Sequence, residues 1–201
     1  MEERELLVEK LKDVNVFIKD EERHIDVLFK NNGYLDMETY YSFLKKNEKF
    51  YIYKISRGES SEINVFIDQT IAVLYLVLVI KTSELYTKDE EGDYVYNHVN
   101  SENAEEIISR YINKKYYSLF KEKKSAINIT IENNIFIIYL IDDFGCKKIL
   151  SDDNPNIELG LSVLFNYARE YMLIEQEIQN WGINKKEYPE IEKIYSSILG
   201  Y

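Results

Sequence analysis

Ile127-Asn128-Ile129-Thr130-Ile131-Glu132-Asn133-Asn134-Ile135-Phe136-Ile137-Ile138-Tyr139-Leu140-Ile141 is the stretch on which the fold turns. Ile127, Ile129 and Ile131 alternate with polar residues, the period of a strand with one buried face. Glu132-Asn133-Asn134 then interrupts the pattern with two asparagines that tolerate positive φ, and leads into a solid apolar run suited to a strand covered on both faces. A β-hairpin is the expectation. The same pattern recurs without a gap at Ile63-Asn64-Val65-Phe66-Ile67-Asp68-Gln69-Thr70-Ile71-Ala72-Val73-Leu74-Tyr75-Leu76-Val77, with Ile, Asn, Ile, Ile, Tyr and Leu at equivalent places. A second hairpin is therefore expected, with Ile71 to Ile80 as an interior strand. The fold class implied is α+β: an antiparallel sheet built from two repeated β-hairpins, with helices packed mainly on one face.

Working outward, Tyr40-Tyr41-Ser42-Phe43-Leu44-Lys45 echoes Tyr116-Tyr117-Ser118-Leu119-Phe120-Lys121. Each expected hairpin leads to a short strand (Tyr94 to Val99; Cys146 to Leu150) and then to a helix with an acidic first turn. This implies one domain over residues 1–201 containing an internal duplication, about 36–112 and 102–180. Leu7, Leu11, Val14 and Ile18 predict a covering helix over 2–19, and a tail over 184–201 holds a last short helix after Pro189. Further helices are expected from Glu22 to Phe29, capped at Asn31-Asn32-Gly33, and from Asp36 with Met37, Tyr40, Tyr41 and Leu44 on one face. Phe50 to Ile55 reads as a strand and Arg57 to Ser61 as a turn. Thr87 to Asp93 reads as an acidic loop, and Ser101 as the cap of a helix from Glu102 to Lys124. Asn154-Pro155 resembles a helix start, with Ile157, Leu161, Leu164, Phe165, Ala168 and Met172 continuing at helical spacing to Trp181-Gly182.

The formal net charge of -11 disfavours nucleic acid or an anionic membrane as partner and favours a basic one. A single cysteine, Cys146, rules out an intrachain disulfide and a cysteine-cluster zinc site; with no targeting segment at Met1, a reducing cytoplasm is the expected compartment. The apolar run from Ile71 to Ile80 falls short of the roughly 20 residues of a membrane-spanning helix.

No catalytic residue, metal site or cofactor is expected. His24 and His98 lack a HExxH-like pattern or a neighbouring nucleophile, Cys146 reads as a buried, inert thiol, and the glycines form no phosphate loop. Asp142-Asp143 is the best acidic pair for a divalent cation, but the Glu-x-Lys that a nuclease would place on the next strand is missing. The 18 tyrosines are the remaining compositional signal, since tyrosine gives rigid contact area at interfaces.

The segment from Lys147 to Leu164, Lys-Lys-Ile-Leu-Ser-Asp-Asp-Asn-Pro-Asn-Ile-Glu-Leu-Gly-Leu-Ser-Val-Leu, running on to Arg169, resembles a pattern of bacterial contact-dependent growth inhibition immunity proteins, in which a strand leads through an acidic turn to a helix opening Glu-Leu-Gly. The preceding hairpin is similar to that family too. The first half of the chain has Ala104-Glu105-Glu106-Ile107-Ile108 at the corresponding place, without the glycine. On its own physics, Glu158 favours a helix start and Gly160 lets the helix approach the sheet closely. The resemblance implies a non-enzymatic inhibitor that binds one cognate toxin domain, commonly a nuclease, within the cell that makes it. Acidity would then speed association with a basic cleft. The expected toxin-binding residues are Asp89, Glu90, Glu91 and Asp93, with Tyr94 and Tyr96 as anchors, and Asp142, Asp143, Asp152 and Asp153, all along one acidic edge. The competing readings are a metal-dependent nuclease or hydrolase using Asp142 and Asp143, and a structural or adaptor protein.

Overall fold

A computed structural model describes residues 2–87 and 89–201. Lys88, within the loop expected at Thr87–Asp93, and Met1 lie outside the described residues. The fold is α+β, with helices packed on two sheets. By their contacts, residues divide into two units, Met1–Leu85 with Gly182–Ile194, and Tyr86–Trp181 with Tyr195–Tyr201.

In the first unit, a helix over Glu2–Lys10 (α1) precedes five strands: β1 (Val16–Asp20), β2 (His24–Asn31), β3 (Tyr34–Lys46), β4 (Lys49–Ser56) and β5 (Glu59–Phe66). They pair as an antiparallel meander in the order β1-β2-β3-β4-β5. Three two-residue turns join the last four strands: Asn32-Gly33 (φ 51° and 84°), Asn47-Glu48 (50° and 59°) and Arg57-Gly58 (50° and 83°). Positive φ at both central positions matches the right-handed twist of the flanking strands. This overturns three expectations. The helix over 2–19 stops at Lys10, and Val16 to Asp20 pair with β2 instead. The helices expected at 22–29 and from Asp36 are strands β2 and β3, because Asn32-Gly33 makes a hairpin turn and not a helix cap. Met37, Tyr40, Tyr41 and Leu44 fit helical spacing, but their segment is rich in tyrosine and phenylalanine, which favour a pleated surface.

The strand expected over Ile71 to Ile80 is the middle of a helix, α2 (Gln69–Leu85), and each of these residues except Val79 is buried. Asp68 caps it: Oδ1 accepts the Ile71 N–H at 3.0 Å, and the Asp68 carbonyl accepts the Ala72 N–H at 3.0 Å. Glu190 adds a second carboxylate, accepting the N–H groups of Ile67 and Asp68 at 2.8 and 2.9 Å. A helix that is apolar on nearly all sides belongs in a core. α2 lies against β3, β4 and β5, with Tyr75 and Phe66 ring centroids 5.2 Å apart and the Tyr41 and Ser83 hydroxyls 3.1 Å apart.

In the second unit, α3 (Glu90–His98) and α4 (Ala104–Ser109) precede a 3-10 turn at Lys114–Tyr116 and the strands β6 (Tyr117–Leu119), β7 (Ala126–Glu132), β8 (Ile135–Ile141) and β9 (Lys147–Asn154). The four strands form a mixed sheet, β6 parallel to β7 and the others antiparallel. Here the expected hairpin is present: Ile127 pairs with Leu140 and Glu132 with Ile135, around Asn133 and Asn134 at φ 50° and 64°. The other patterned stretch, Ile63 to Val77, is a strand running into a helix, so the two copies differ in kind. The long α5 (Ile157–Asn180) covers the second sheet, and α6 (Ile191–Leu199) is the expected tail helix. α5 is capped by Asn156, which accepts the Leu159 N–H at 2.9 Å, rather than by Asn154, which ends β9. The helix expected from Glu102 to Lys124 ends at Ser109 and gives way to the 3-10 turn and β6; the strand expected at Tyr94 is part of α3. Among the described residues, no single helix is long and apolar enough to cross a membrane.

Candidate functional site

The carboxylates singled out in the sequence are carried by different elements and do different work. Asp89 is the N-cap of α3, accepting the Gly92 N–H at 2.9 Å. Its two oxygens also receive Arg169 from α5, Nη1 to Oδ1 at 2.6 Å and Nη2 to Oδ2 at 2.7 Å. That hydrogen bonding with Arg169 outweighs burial and holds the Asp89 carboxyl below its ordinary range. Arg169 is itself 4% exposed and lies over the rings of Tyr86 and Phe165, each 5.2 Å from its guanidinium carbon. Beside it, Glu170 accepts the Tyr86 hydroxyl at 2.7 Å, and burial pushes its carboxyl up to about 6. Asp89 is thus the fastening of α3 to α5. A lone arginine within the apolar stripe of Phe165, Ala168 and Met172 was the sequence signal that an acid had to meet it.

Glu90, Glu91 and Asp93 stay exposed on the first turn of α3, although Glu91 reaches within 4.0 Å of Arg169. Tyr94 stacks on His98 at 4.3 Å and meets Tyr111 edge-on, while Tyr96 is 63% exposed. On the other cluster, Asp142 closes the turn after β8: Oδ1 accepts the N–H groups of Phe144 and Cys146 at 2.9 and 2.8 Å, and Oδ2 lies 3.6 Å from Lys148. Cys146, expected to be buried, is exposed, because it lies in this turn and not in β9. Asp143 accepts a hydrogen bond from the Ser125 hydroxyl. Asp152 and Asp153 are exposed on β9, the latter accepting from Ser151 at 3.2 Å. The carboxylates of α3 are carried by a helix packed on α5, whereas those of 142–153 belong to β9 and the turn before it. Among the described residues, no three His, Cys, Asp or Glu side chains gather as a metal site. Gly160 has the spacing role expected of it: a Cβ there would lie 2.9 Å from Phe136 Cβ and 3.2 Å from Ile129 Cδ1, so α5 sits directly on the sheet.

A second feature lies in the first unit, on strands whose residue spacing also suits helices. Antiparallel register places Asp26 opposite Ser42 and Ser42 opposite Tyr53, with Tyr40 opposite Ile55 one step along. Alternation sends these side chains to the face opposite Tyr41, which meets α2. With His24 they line a concavity of about 340 Å³ on that face of the sheet. Asp26 is 9% exposed; its Oδ2 lies 3.4 Å from His24 Nε2, and its Oδ1 is buried without a hydrogen-bond partner.

Comparison of the chain with protein-family models, with curated proteins and with solved structures found no match.

Proposed function

We propose that this protein is an immunity-type inhibitor that binds and neutralises a cognate bacterial toxin domain, a basic one such as a nuclease, in the cytoplasm of the cell that makes both. The observation that carries the reading is a net charge of -11 together with carboxylates that project from ordered backbone: Glu90, Glu91 and Asp93 from α3, Asp152 and Asp153 from β9. Exposed Tyr96 beside the α3 group supplies an aromatic contact. Charges fixed on a scaffold lose little entropy on binding and steer a basic partner into register. Asp89 and Asp142 are committed to Arg169 and to a turn, so their role is to hold the acidic surface in shape. The same commitment of Asp142 favours a binder over a hydrolase built on Asp142 and Asp143.

The test is co-expression with the product of the gene immediately upstream, combined with measured association at low and physiological salt. Growth should be rescued by this protein. Replacing Glu90, Glu91 and Asp93 by their amides, or Asp152 and Asp153 by asparagine, should lower the on-rate about tenfold or more at low salt in at least one variant and flatten its salt dependence. An upstream product that is neither toxic nor bound, or association unchanged in both variants, overturns the reading.

A further inference from the structure

The concavity on the face of the five-stranded sheet opposite Tyr41 combines a carboxylate short of donors with aromatic and apolar walls. Ionised carboxyls have room for about four hydrogen bonds. Asp26 has one buried oxygen with no partner, and its other oxygen meets only a histidine nitrogen at 3.4 Å. The adjacent lysine, Lys19, paired with Asp26 in the β1–β2 register, makes its ion pair with Glu21 instead. Such a group, nine-tenths buried with one oxygen unpartnered, is costly unless something brings it N–H donors. The torsion that rotates a carboxylate is soft, so either oxygen can be turned toward the opening.

The surroundings of Asp26 select the donor. Tyr40 and Tyr53 line the concavity from neighbouring strands, and Tyr53 is held in place by Glu62, whose Oε2 lies 3.5 Å from the hydroxyl, and by stacking on Tyr51 at 6.3 Å. Leu44 and Ile55 add apolar surface, and Ser42 and Ser60 add hydroxyls at the wall. A planar cation with a hydrocarbon stem matches all three: parallel N–H groups for the carboxylate, a face for the tyrosine rings, and methylenes for the apolar wall. We infer that this concavity is a docking site for the guanidinium of a single arginine side chain presented by a protein partner. A free amino acid is a poorer fit, because its own carboxylate would be carried in alongside that of Asp26. This inference does not depend on the toxin proposal, since it concerns the first unit and any partner that offers an exposed arginine.

The experiment is an NMR titration of the full chain with the peptide Ac-Gly-Arg-Gly-NH2, against the same peptide carrying citrulline, which keeps the shape and removes the charge, and against free L-arginine. Saturable shifts are expected at His24, Asp26, Tyr40, Ser42 and Tyr53 with a Kd in the millimolar range, weakened about tenfold or more for citrulline and for Asp26→Asn, and weaker for free arginine. Tyr53→Leu keeps the carboxylate and should weaken binding severalfold. No saturable shift at these residues, equal binding of the citrulline peptide, tighter binding of free arginine, or undiminished binding in a folded Asp26→Asn protein overturns the inference. None of these outcomes bears on whether an upstream toxin is bound through α3 and β9.

Discussion

Ile63–Val77 and Ile127–Ile141 share six identities in fifteen aligned positions, yet one is a strand entering a buried helix and the other is a hairpin. The difference lies in three residues. Where the second stretch has Glu132-Asn133-Asn134, the first has Asp68-Gln69-Thr70. Asparagine adopts the left-handed conformation at small cost, and both asparagines do so here. A β-branched threonine resists it. Aspartate, one methylene shorter than glutamate, reaches the N–H three residues on and starts a helix, as Asp68 does for Ile71. The residues downstream reinforce each choice: leucines and an alanine run on to Ile80 in the first copy, while Asp142 stops the second after seven apolar residues.

The largest expected effect tests whether equivalent positions have inequivalent surroundings. Ile71 is 0% exposed and Ile135 is 39% exposed. Ile71→Lys should cost about 3–5 kcal/mol in urea unfolding, because its ammonium would be buried without a partner, whereas Ile135→Lys, beside Glu132, should stay within about 0.5 kcal/mol. Equal costs would mean that the two apolar runs share one environment. Next in size is Asn134→Thr, which places the first copy's residue at φ 64° and should destabilise by about 1–2 kcal/mol, with Asn134→Gly near neutral; calorimetry on both variants distinguishes the turn from the strand it joins. The smallest is the cap itself. Asp68→Ala should cost about 1 kcal/mol and raise amide exchange in the first turn of α2, while Glu132→Ala should do neither, and a matching loss at both sites would remove the cap from the explanation.

Sequence carried the class and several elements because their signals were local. Asn133-Asn134 marked a turn, Phe50 to Ile55 a strand, and the apolar spacing from Ile157 the long helix. It failed where two periods fit the same letters. Met37, Tyr40, Tyr41 and Leu44 suit a helix by spacing and a strand by propensity, and only the pairing of Tyr41 with Val27 and Lys54 decides. Of the candidate site, the acidity was legible and the division of labour was not. Nothing adjacent to Asp89 tells that it meets an arginine 80 residues later. The concavity around Asp26 was hidden for the same reason, since its walls come from four strands brought into register by turns, and one of those turns, Asn32-Gly33, has the letters of a helix cap.

The carboxylate of Glu190 at the start of α2 has a consequence for the order in which the molecule is completed. The meander β1 to β5 consists of neighbours in sequence, whose short loops close at little entropic cost, so it can assemble as it leaves the ribosome. The N–H groups of Ile67 and Asp68, however, find Glu190 as an acceptor more than a hundred residues further along the chain. All of the second sheet and α5 are synthesised in the interval. During that time Asp68 is the one carboxylate of this pair available to the start of α2, and Glu190 reaches the first unit in a segment translated after the second sheet and α5.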